Sequence, residues 1–74
     1  MTKKQMLERM REEIYFGMDN WNYFSEIEYD ETRDETERKS ASDIAYGYHR
    51  EAMTLNKLCI EFFNVDAVNE WLDL

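Results

Sequence analysis

The sequence predicts an all-α protein: a long antiparallel helical hairpin followed by a short C-terminal helix. Proline is absent and glycine occurs only at Gly17 and Gly47, whereas sheet proteins need turn residues at frequent intervals. Apolar residues recur at alternating spacings of three and four over two long stretches, which is the pattern of a buried helix face. A chain of 74 residues has room for one core only, so residues 1–74 are expected to form a single domain.

The first predicted helix covers about residues 2–27. Thr2 and Gln5 form a capping-box pattern, in which each side chain binds the other residue's backbone amide at the helix start. Gly17 lies within the apolar face, where a glycine costs about 1 kcal/mol relative to alanine. We therefore expect a neighbouring helix or a large side chain to approach closely there. The apolar face comprises Leu7, Met10, Ile14, Gly17, Trp21 and Phe24.

The second predicted helix covers about residues 32–62. Thr32 and Glu35 suggest another capping box, which leaves a connection as short as residues 28–31. Such a short connection favours antiparallel packing of the two helices. The apolar stripe of this helix is Ala41, Ala45, Tyr48, Ala52, Leu55, Cys59 and Phe62, with Ile44 and Leu58 widening one side.

A third, short helix is predicted at about residues 65–73. Asn64 is interpreted as its N-cap, with Phe63 and Val68 as a hydrophobic staple across the helix start. A helix of one or two turns is not stable alone in water, so we expect it to dock on the hairpin.

The aromatic residues are divided between the main seam and other faces. Trp21 and Phe24 are predicted to lie over Ala41 and Ala45, where small side chains leave room for them. Some of the residues displaced from the main stripes are expected to pack against the third helix, and the remainder predict an apolar patch, which usually marks an interaction surface. Dimerisation into a four-helix arrangement is the simplest use of such a patch. The displaced residues are Phe16, Tyr23 and Ile27 along the first helix, together with Tyr15, Tyr29 and Tyr46.

The sequence offers no membrane span and no disulfide. No apolar stretch approaches the roughly 18 residues of a transmembrane helix, and the charged N-terminus leads into an amphipathic pattern. Cys59 is the only cysteine, and a free thiol fits a reducing compartment. A cytoplasmic location is therefore expected, in the host cytoplasm if the chain is phage-encoded.

The residues that could support catalysis are too far apart to cooperate. Cys59 and His49 are ten positions apart, about 15 Å along one helix, so we predict a buried thiol and a histidine at the edge of the apolar stripe. The acidic segment starting at Asp30 lacks the acid and glycine positions of a calcium-binding loop. We therefore expect a non-enzymatic protein with no cofactor and no bound metal.

The charge distribution predicts a basic protein as partner. The net charge of −8 opposes direct binding to a nucleic acid. Residues 12–37 hold ten acids against one arginine, and residues 26–37 alone carry a net charge of −6. Carboxylates along a helix can imitate phosphates, although such a run can also be simply a solvated helix end. The candidate partner-binding residues are Tyr23, Glu26, Glu28, Tyr29, Asp30, Glu31, Asp34, Glu35 and Glu37.

In general character the chain resembles the small acidic helical proteins with which bacteriophages inhibit host enzymes, including anti-CRISPR and anti-restriction proteins. The resemblance rests on the small size, the lack of a catalytic constellation and the acidic, aromatic stretch 19–37. It implies an inhibitor that occupies a basic nucleic-acid-binding site by charge mimicry. The alternative is a homo-oligomeric hairpin that serves as a structural or regulatory assembly subunit.

Overall fold

The structure contains three helices and no strand, which confirms the predicted all-α hairpin. The computed structural model describes all residues from 1 to 74. The helices are α1 (Lys3–Glu28), α2 (Glu35–Phe63) and α3 (Ala67–Leu72). The two long helices pack against each other along most of their length, and α3 folds back onto them. The molecule is a rod that measures 46 × 20 × 17 Å. No helix combines the length and apolar character needed to cross a membrane.

The first helix starts as predicted, but the second starts three residues later. At the start of α1, Thr2 and Gln5 form the capping box in both directions. The N-cap of α2 is Asp34, whose carboxylate accepts a hydrogen bond from the Glu37 amide at 2.8 Å. The predicted cap at Thr32 is wrong because its hydroxyl and amide both donate to the carboxylate of Asp30. Asp30 therefore holds Thr32 in a local turn of the kind that Asx residues favour.

The predicted N-cap of the third helix is also wrong. Asn64 is the C-cap of α2, in the left-handed conformation with φ 55° and ψ 37°, a conformation that asparagine tolerates better than most residues. The N-cap of α3 is Asp66, which accepts from the amide of Asn69 at 3.0 Å. Because the helix starts two residues later than expected, the proposed staple between Phe63 and Val68 does not span its start.

The core is small and lies where the three helices meet. Its fully or nearly fully buried members are Ile14, Met18, Ala52, Cys59 and Ala67. The prediction of a buried thiol at Cys59 is confirmed, as is the burial of Ala41 and Ala45. Phe62 was predicted to belong to the buried stripe, but 69% of its surface is exposed. Conversely, the sequence pattern did not indicate that Met18 and Asn56 are buried.

Gly17 allows the two long helices to come very close together, as the sequence predicted. A Cβ atom added at Gly17 would lie 3.1 Å from the Cβ of Ala52 and 3.3 Å from the carbonyl oxygen of Tyr48. Both contacts involve atoms that are fixed by the α2 backbone, so neither can move away easily. The side-chain position of residue 17 therefore has space for a hydrogen atom and little more.

Asn56 attaches α3 to the hairpin. Its side-chain oxygen accepts hydrogen bonds from the amides of Ala67 at 2.7 Å and Val68 at 3.1 Å, and its side-chain nitrogen donates to Asp66 at 2.9 Å. These amides are among the donors that a helix N-terminus leaves without intrahelical partners. The hydrogen bonds from Asn56 and from the Asn69 amide lower the pKa of Asp66, so its carboxylate stays charged in the cap.

We predict opposite effects from alanine substitutions at the two glycines. Gly17→Ala should lower the free energy of unfolding by about 1 kcal/mol, since the cost of overpacking exceeds the gain in helix propensity. Gly47→Ala should raise it by about 1 kcal/mol, because an added Cβ at Gly47 meets no atom within 4 Å. Urea denaturation followed by circular dichroism measures both. Equal stabilisation by the two substitutions would contradict the close approach at Gly17.

We also predict that Asn56→Ala releases α3 from the hairpin. The substitution removes the acceptor for two amides at the start of α3, one of them buried, at a cost of about 2 kcal/mol. Hydrogen exchange at the amides of Ala67–Leu72 should accelerate strongly in this variant. Asn69→Ala is the control, because the Asn69 side chain is exposed and forms no hydrogen bond. Similar exchange rates in the two variants would show that Asn56 does not hold α3.

Candidate functional site

The turn between α1 and α2 is held in place by several hydrogen bonds. Tyr29 ends α1, and the amide of Asp30 donates to the carbonyl oxygen of Ile27 at 3.2 Å. The amide of Arg33 donates in turn to the carbonyl oxygen of Asp30 at 3.1 Å. From the start of α2, Arg38 Nε donates to the carbonyl oxygen of Glu28 at 2.8 Å. The side chains of the turn are therefore carried by an ordered backbone.

The structure brings the nine predicted partner-binding residues to this one end of the rod. We call this end, residues 23–37, the acidic tip. It consists of the last turns of α1, the connection and the first turn of α2. The acids earlier in α1 lie elsewhere: Glu12 and Glu13 pair with Arg9, and Asp19 accepts a hydrogen bond from Trp71. The negative charge of residues 12–37 is thus less concentrated than the sequence suggested.

Three carboxylates of the acidic tip are already occupied within the chain. Arg33 forms ion pairs with Asp30, at 3.4 Å, and with Glu37. Hydrogen bonds from Thr32, followed by the charge of Arg33, lower the pKa of Asp30, and the pKa of Arg33 is raised by Glu37. Asp34 is used as the N-cap of α2. These three carboxylates are therefore less available to an incoming cation.

Four carboxylates of the acidic tip form no ion pair, and the tip also carries two exposed tyrosines. Tyr29 is 75% exposed and Tyr23 is 59% exposed, with the Tyr23 ring set edge-on against Phe24 at a centroid distance of 5.1 Å. Exposed tyrosines of this kind supply large contact areas at protein interfaces. The unpaired carboxylates belong to Glu26, Glu28, Glu31 and Glu35.

Beside the tip lies a cleft that the sequence pattern did not indicate. It has a volume of about 290 Å³. Trp21 and His49 both line it, with ring centroids 5.3 Å apart, and Trp71 of α3 lies edge-on to Trp21 with centroids 6.3 Å apart. The cleft therefore lies where the short α3 ends and no longer covers the hairpin. Its lining residues are Trp21, Glu28, Ser42, Ala45, Tyr46 and His49.

The cleft refines the predicted positions of three aromatic residues. Trp21 was expected over Ala41 and Ala45; it lies beside Ala45 and reaches His49 one turn further along α2. Phe24 stacks on Tyr48, with centroids 6.0 Å apart and nearly parallel rings. His49 is half-buried against Trp21. Which of these rings meet depends on the packing angle between the two helices. The spacing of residues in the sequence does not specify that angle.

The residues with catalytic potential remain separate in the structure. The Cys59 side chain is 0% exposed, and its burial raises the pKa of the thiol, so the reactive thiolate is disfavoured. His49 faces Trp21. No group of three or more His, Cys, Asp or Glu residues is arranged to hold a metal ion. The acidic tip and the cleft beside it are exposed and carry charged and aromatic groups suited to binding a partner.

By its fold, the chain is a helical hairpin capped on one face by a short third helix. Comparisons of the chain with protein-family models, with curated proteins and with solved structures find no match. The geometry and charges of the residues described above are therefore the whole basis for a functional proposal.

Proposed function

We propose that this protein is a non-enzymatic inhibitor that binds a basic nucleic-acid-binding site on another protein. The observation that carries the proposal is the acidic tip, which combines four unpaired carboxylates with two exposed tyrosines. A surface of one charge attracts the opposite charge over a distance and accelerates encounter. Exposed aromatic rings then supply the short-range contact that holds a complex together.

The net charge of the acidic tip remains negative when the neighbouring basic residues are counted. Residues 26–39 contain seven acids against Arg33, Arg38 and Lys39, a net charge of −4. The basic residues near the N-terminus lie at the far end of the rod, because α1 and α2 are antiparallel. A target that normally grips phosphates through lysine and arginine would therefore meet a negative surface at the tip. Mimicry of phosphate charge requires this separation.

The cleft beside the tip suits a lysine or arginine side chain of the target. Glu28 lines it and offers a carboxylate, while Trp21 and Tyr46 line it with aromatic rings. A cation over an aromatic face is attracted by about 0.5–1 kcal/mol at an exposed site. A carboxylate next to such a face adds a charge-assisted hydrogen bond. In this proposal the acidic tip attracts the target, and the cleft anchors one of its basic side chains.

The proposed biological setting is that of a phage or mobile-element inhibitor, in the style of anti-CRISPR and anti-restriction proteins. Small size and an acidic, aromatic surface support this setting, since an inhibitor of this type needs one binding surface and no chemistry of its own. Occupation of the basic site would exclude the nucleic acid directly. Inhibition would then be competitive with nucleic acid and would weaken as salt screens the charges.

The first test reverses charge at the acidic tip. The triple variant Glu26→Lys, Glu31→Lys and Glu35→Lys should lose the capture of basic proteins from a cell lysate at low salt. The wild-type chain should retain them and release them at high salt. Immobilised chains and identification of the bound proteins by mass spectrometry provide the measurement.

A matched triple variant distinguishes an effect of the acidic tip from an effect of the net charge of the chain. Glu8→Lys, Glu12→Lys and Glu61→Lys changes the net charge by the same amount, at exposed positions outside the tip. This variant should still capture the basic proteins. Equal losses in both triple variants, or in neither, would refute a binding site at the acidic tip.

The second test concerns the cleft. Tyr46→Ala should weaken binding of the captured target about fivefold, corresponding to about 1 kcal/mol for the lost aromatic face. Tyr46→Phe keeps the ring and should bind almost like the wild type. Titration calorimetry with the purified target gives both affinities. If Tyr46→Ala binds as tightly as the wild type, the cleft does not anchor the target.

A further inference from the structure

The face of the hairpin opposite α3 carries a second line of apolar residues. On α2 this line is centred on Ile44 and Phe62, roughly 120° around the helix from Asn56, which holds α3. The rings of Phe16 and Phe24 meet Tyr48 on this side, both with centroids 6.0 Å apart. We call this surface the open face; it comprises Met6, Met10, Phe16, Tyr23 and Phe24 of α1, and Ile44, Tyr48, Leu55, Leu58 and Phe62 of α2.

The elongated molecule exposes more surface in total than a compact chain of its mass. A compact monomer of 9.1 kDa is expected to expose about 4,900 Å², whereas this chain exposes 5650 Å². The rod is 46 Å long and 20 Å wide, so one full face offers on the order of 900 Å², which matches what each partner buries in a stable interface. The area therefore suits a partner of the same dimensions, such as a second copy.

The two ends of the open face differ: one carries a groove, and the other carries exposed apolar side chains. Toward the chain termini, Met6, Leu58 and Phe62 line a groove of about 420 Å³, together with Lys3, Met10 and Phe63. Toward the acidic tip, Tyr23 and Ile44 are exposed, at 59% and 44%. A second copy turned end for end brings these exposed residues over the groove of the first, and the reverse contact forms at the other end.

The positions of the residues along the long axis of the rod agree with this arrangement. Gly17 lies against the α2 segment between Tyr48 and Ala52, which places Phe16 and Glu51 at the same height near the middle of the face. Ile44 and Leu58 are each seven residues from Glu51. A twofold axis at Glu51 therefore sets Ile44 of one copy opposite Leu58 of the other.

Charge selects the head-to-tail orientation over the parallel one. In a parallel pair two acidic tips, each with a net charge of −6 over residues 26–37, would lie side by side and repel. In the head-to-tail pair, the basic end of one copy lies beside the acidic tip of the other. Lys3 and Lys4 have no ion pair within their own chain, and neither do Glu26 and Glu28.

We propose that the open face is the interface of a homodimer in which two copies pack head to tail as an antiparallel four-helix arrangement. The groove lined by Met6, Leu58 and Phe62 receives Tyr23 and Ile44 of the second copy. This inference goes beyond the proposed inhibitory function and does not depend on it. Pairing of this kind buries apolar faces as helix bundles do and leaves one acidic tip at each end of the rod.

A matched pair of substitutions tests the interface. Ile44→Asp should weaken association roughly tenfold or more, because it buries a charge in an apolar contact. Ile60→Asp is the control, since Ile60 is similarly exposed, at 42% against 44% for Ile44, but lies outside the open face. Sedimentation equilibrium from micromolar to millimolar concentration gives the masses, and circular dichroism checks that both variants fold.

The wild type and Ile60→Asp should reach twice the monomer mass at similar concentrations, whereas Ile44→Asp should need a concentration at least about tenfold higher to do so. A wild-type chain that stays monomeric at millimolar concentration overturns the proposal. So does equal dissociation of the two variants. If Ile44→Asp fails to fold, Leu58→Ser, at another exposed position of the open face, replaces it with the same expected loss of dimer.

The position of the twofold axis has a further consequence that can be measured. It places Glu51 of one copy next to Glu51 of the other, where two like charges oppose association. Glu51→Gln should therefore strengthen the dimer several-fold. Unchanged or weaker association would rule out an axis at this position.

Spin labels distinguish the two orientations. A label on Tyr29→Cys should report a distance of about 40 Å across the head-to-tail dimer, from a rise of 1.5 Å per residue on either side of the axis. A parallel dimer would give less than about 20 Å, on the order of two interhelical spacings. Cys59 is buried and does not compete for the label. Short distances would overturn the head-to-tail arrangement.

Discussion

The rest of the structure depends on the close contact between α1 and α2 through small residues. Gly17 lies against Ala52, and Ala41 and Ala45 are buried further along the same seam. Interiors pack densely, so helices this close leave no room for large side chains between them. The larger apolar residues are displaced to the two sides of the seam. One side is covered by α3 and the other remains exposed, so a single constraint builds the hairpin and creates its two faces.

The attachment of α3 depends on polar contacts as much as on apolar ones. A helix of six residues is not stable alone, and the hairpin supplies the missing hydrogen bonds at its start through Asn56. At its other end Trp71 donates to Asp19 at 2.8 Å, and Glu70 pairs with Arg11 at 3.3 Å. Because α3 is so short, it covers only part of its face. The cleft beside Trp21 is the part that it leaves uncovered.

The sequence predicted the elements of this fold better than their ends. Apolar spacing identified both long helices and the seam, since a buried face imposes its period on the side chains. The caps were harder to predict, because Thr32 and Asp34 were both suitable and the choice depended on Asp30 binding the hydroxyl of Thr32. At Asn64 the sequence allowed a helix start or a left-handed helix end, and only the path of the chain decides between them.

The candidate site was predictable in location but not in detail. Acidic composition and the position of the turn sufficed to place nine residues at one end of the rod. The ion pairs of Arg33 depend on side-chain geometry, so the number of free carboxylates could not be counted from the sequence. Asn56 was missed because a polar residue beside the stripe gives no periodic signal. The cleft was missed because it is made by Trp21, Tyr46 and His49, which belong to two helices.

The two proposed surfaces obey different physical rules, and these rules determine how they can work together. Attraction by the acidic tip is electrostatic and weakens with salt, whereas the open face would associate by burial of apolar area, which ordinary salt affects little. In the head-to-tail pair the lysines at the chain start approach Glu26 and Glu28, while Glu31 and Glu35 lie beyond the last contact and stay free. Two tips at opposite ends of one rod strengthen binding only to targets whose basic sites are linked. For a target with a single basic site, affinity is set by one tip, and pairing changes that tip because it covers Tyr23 and pairs Glu26 and Glu28 with lysines.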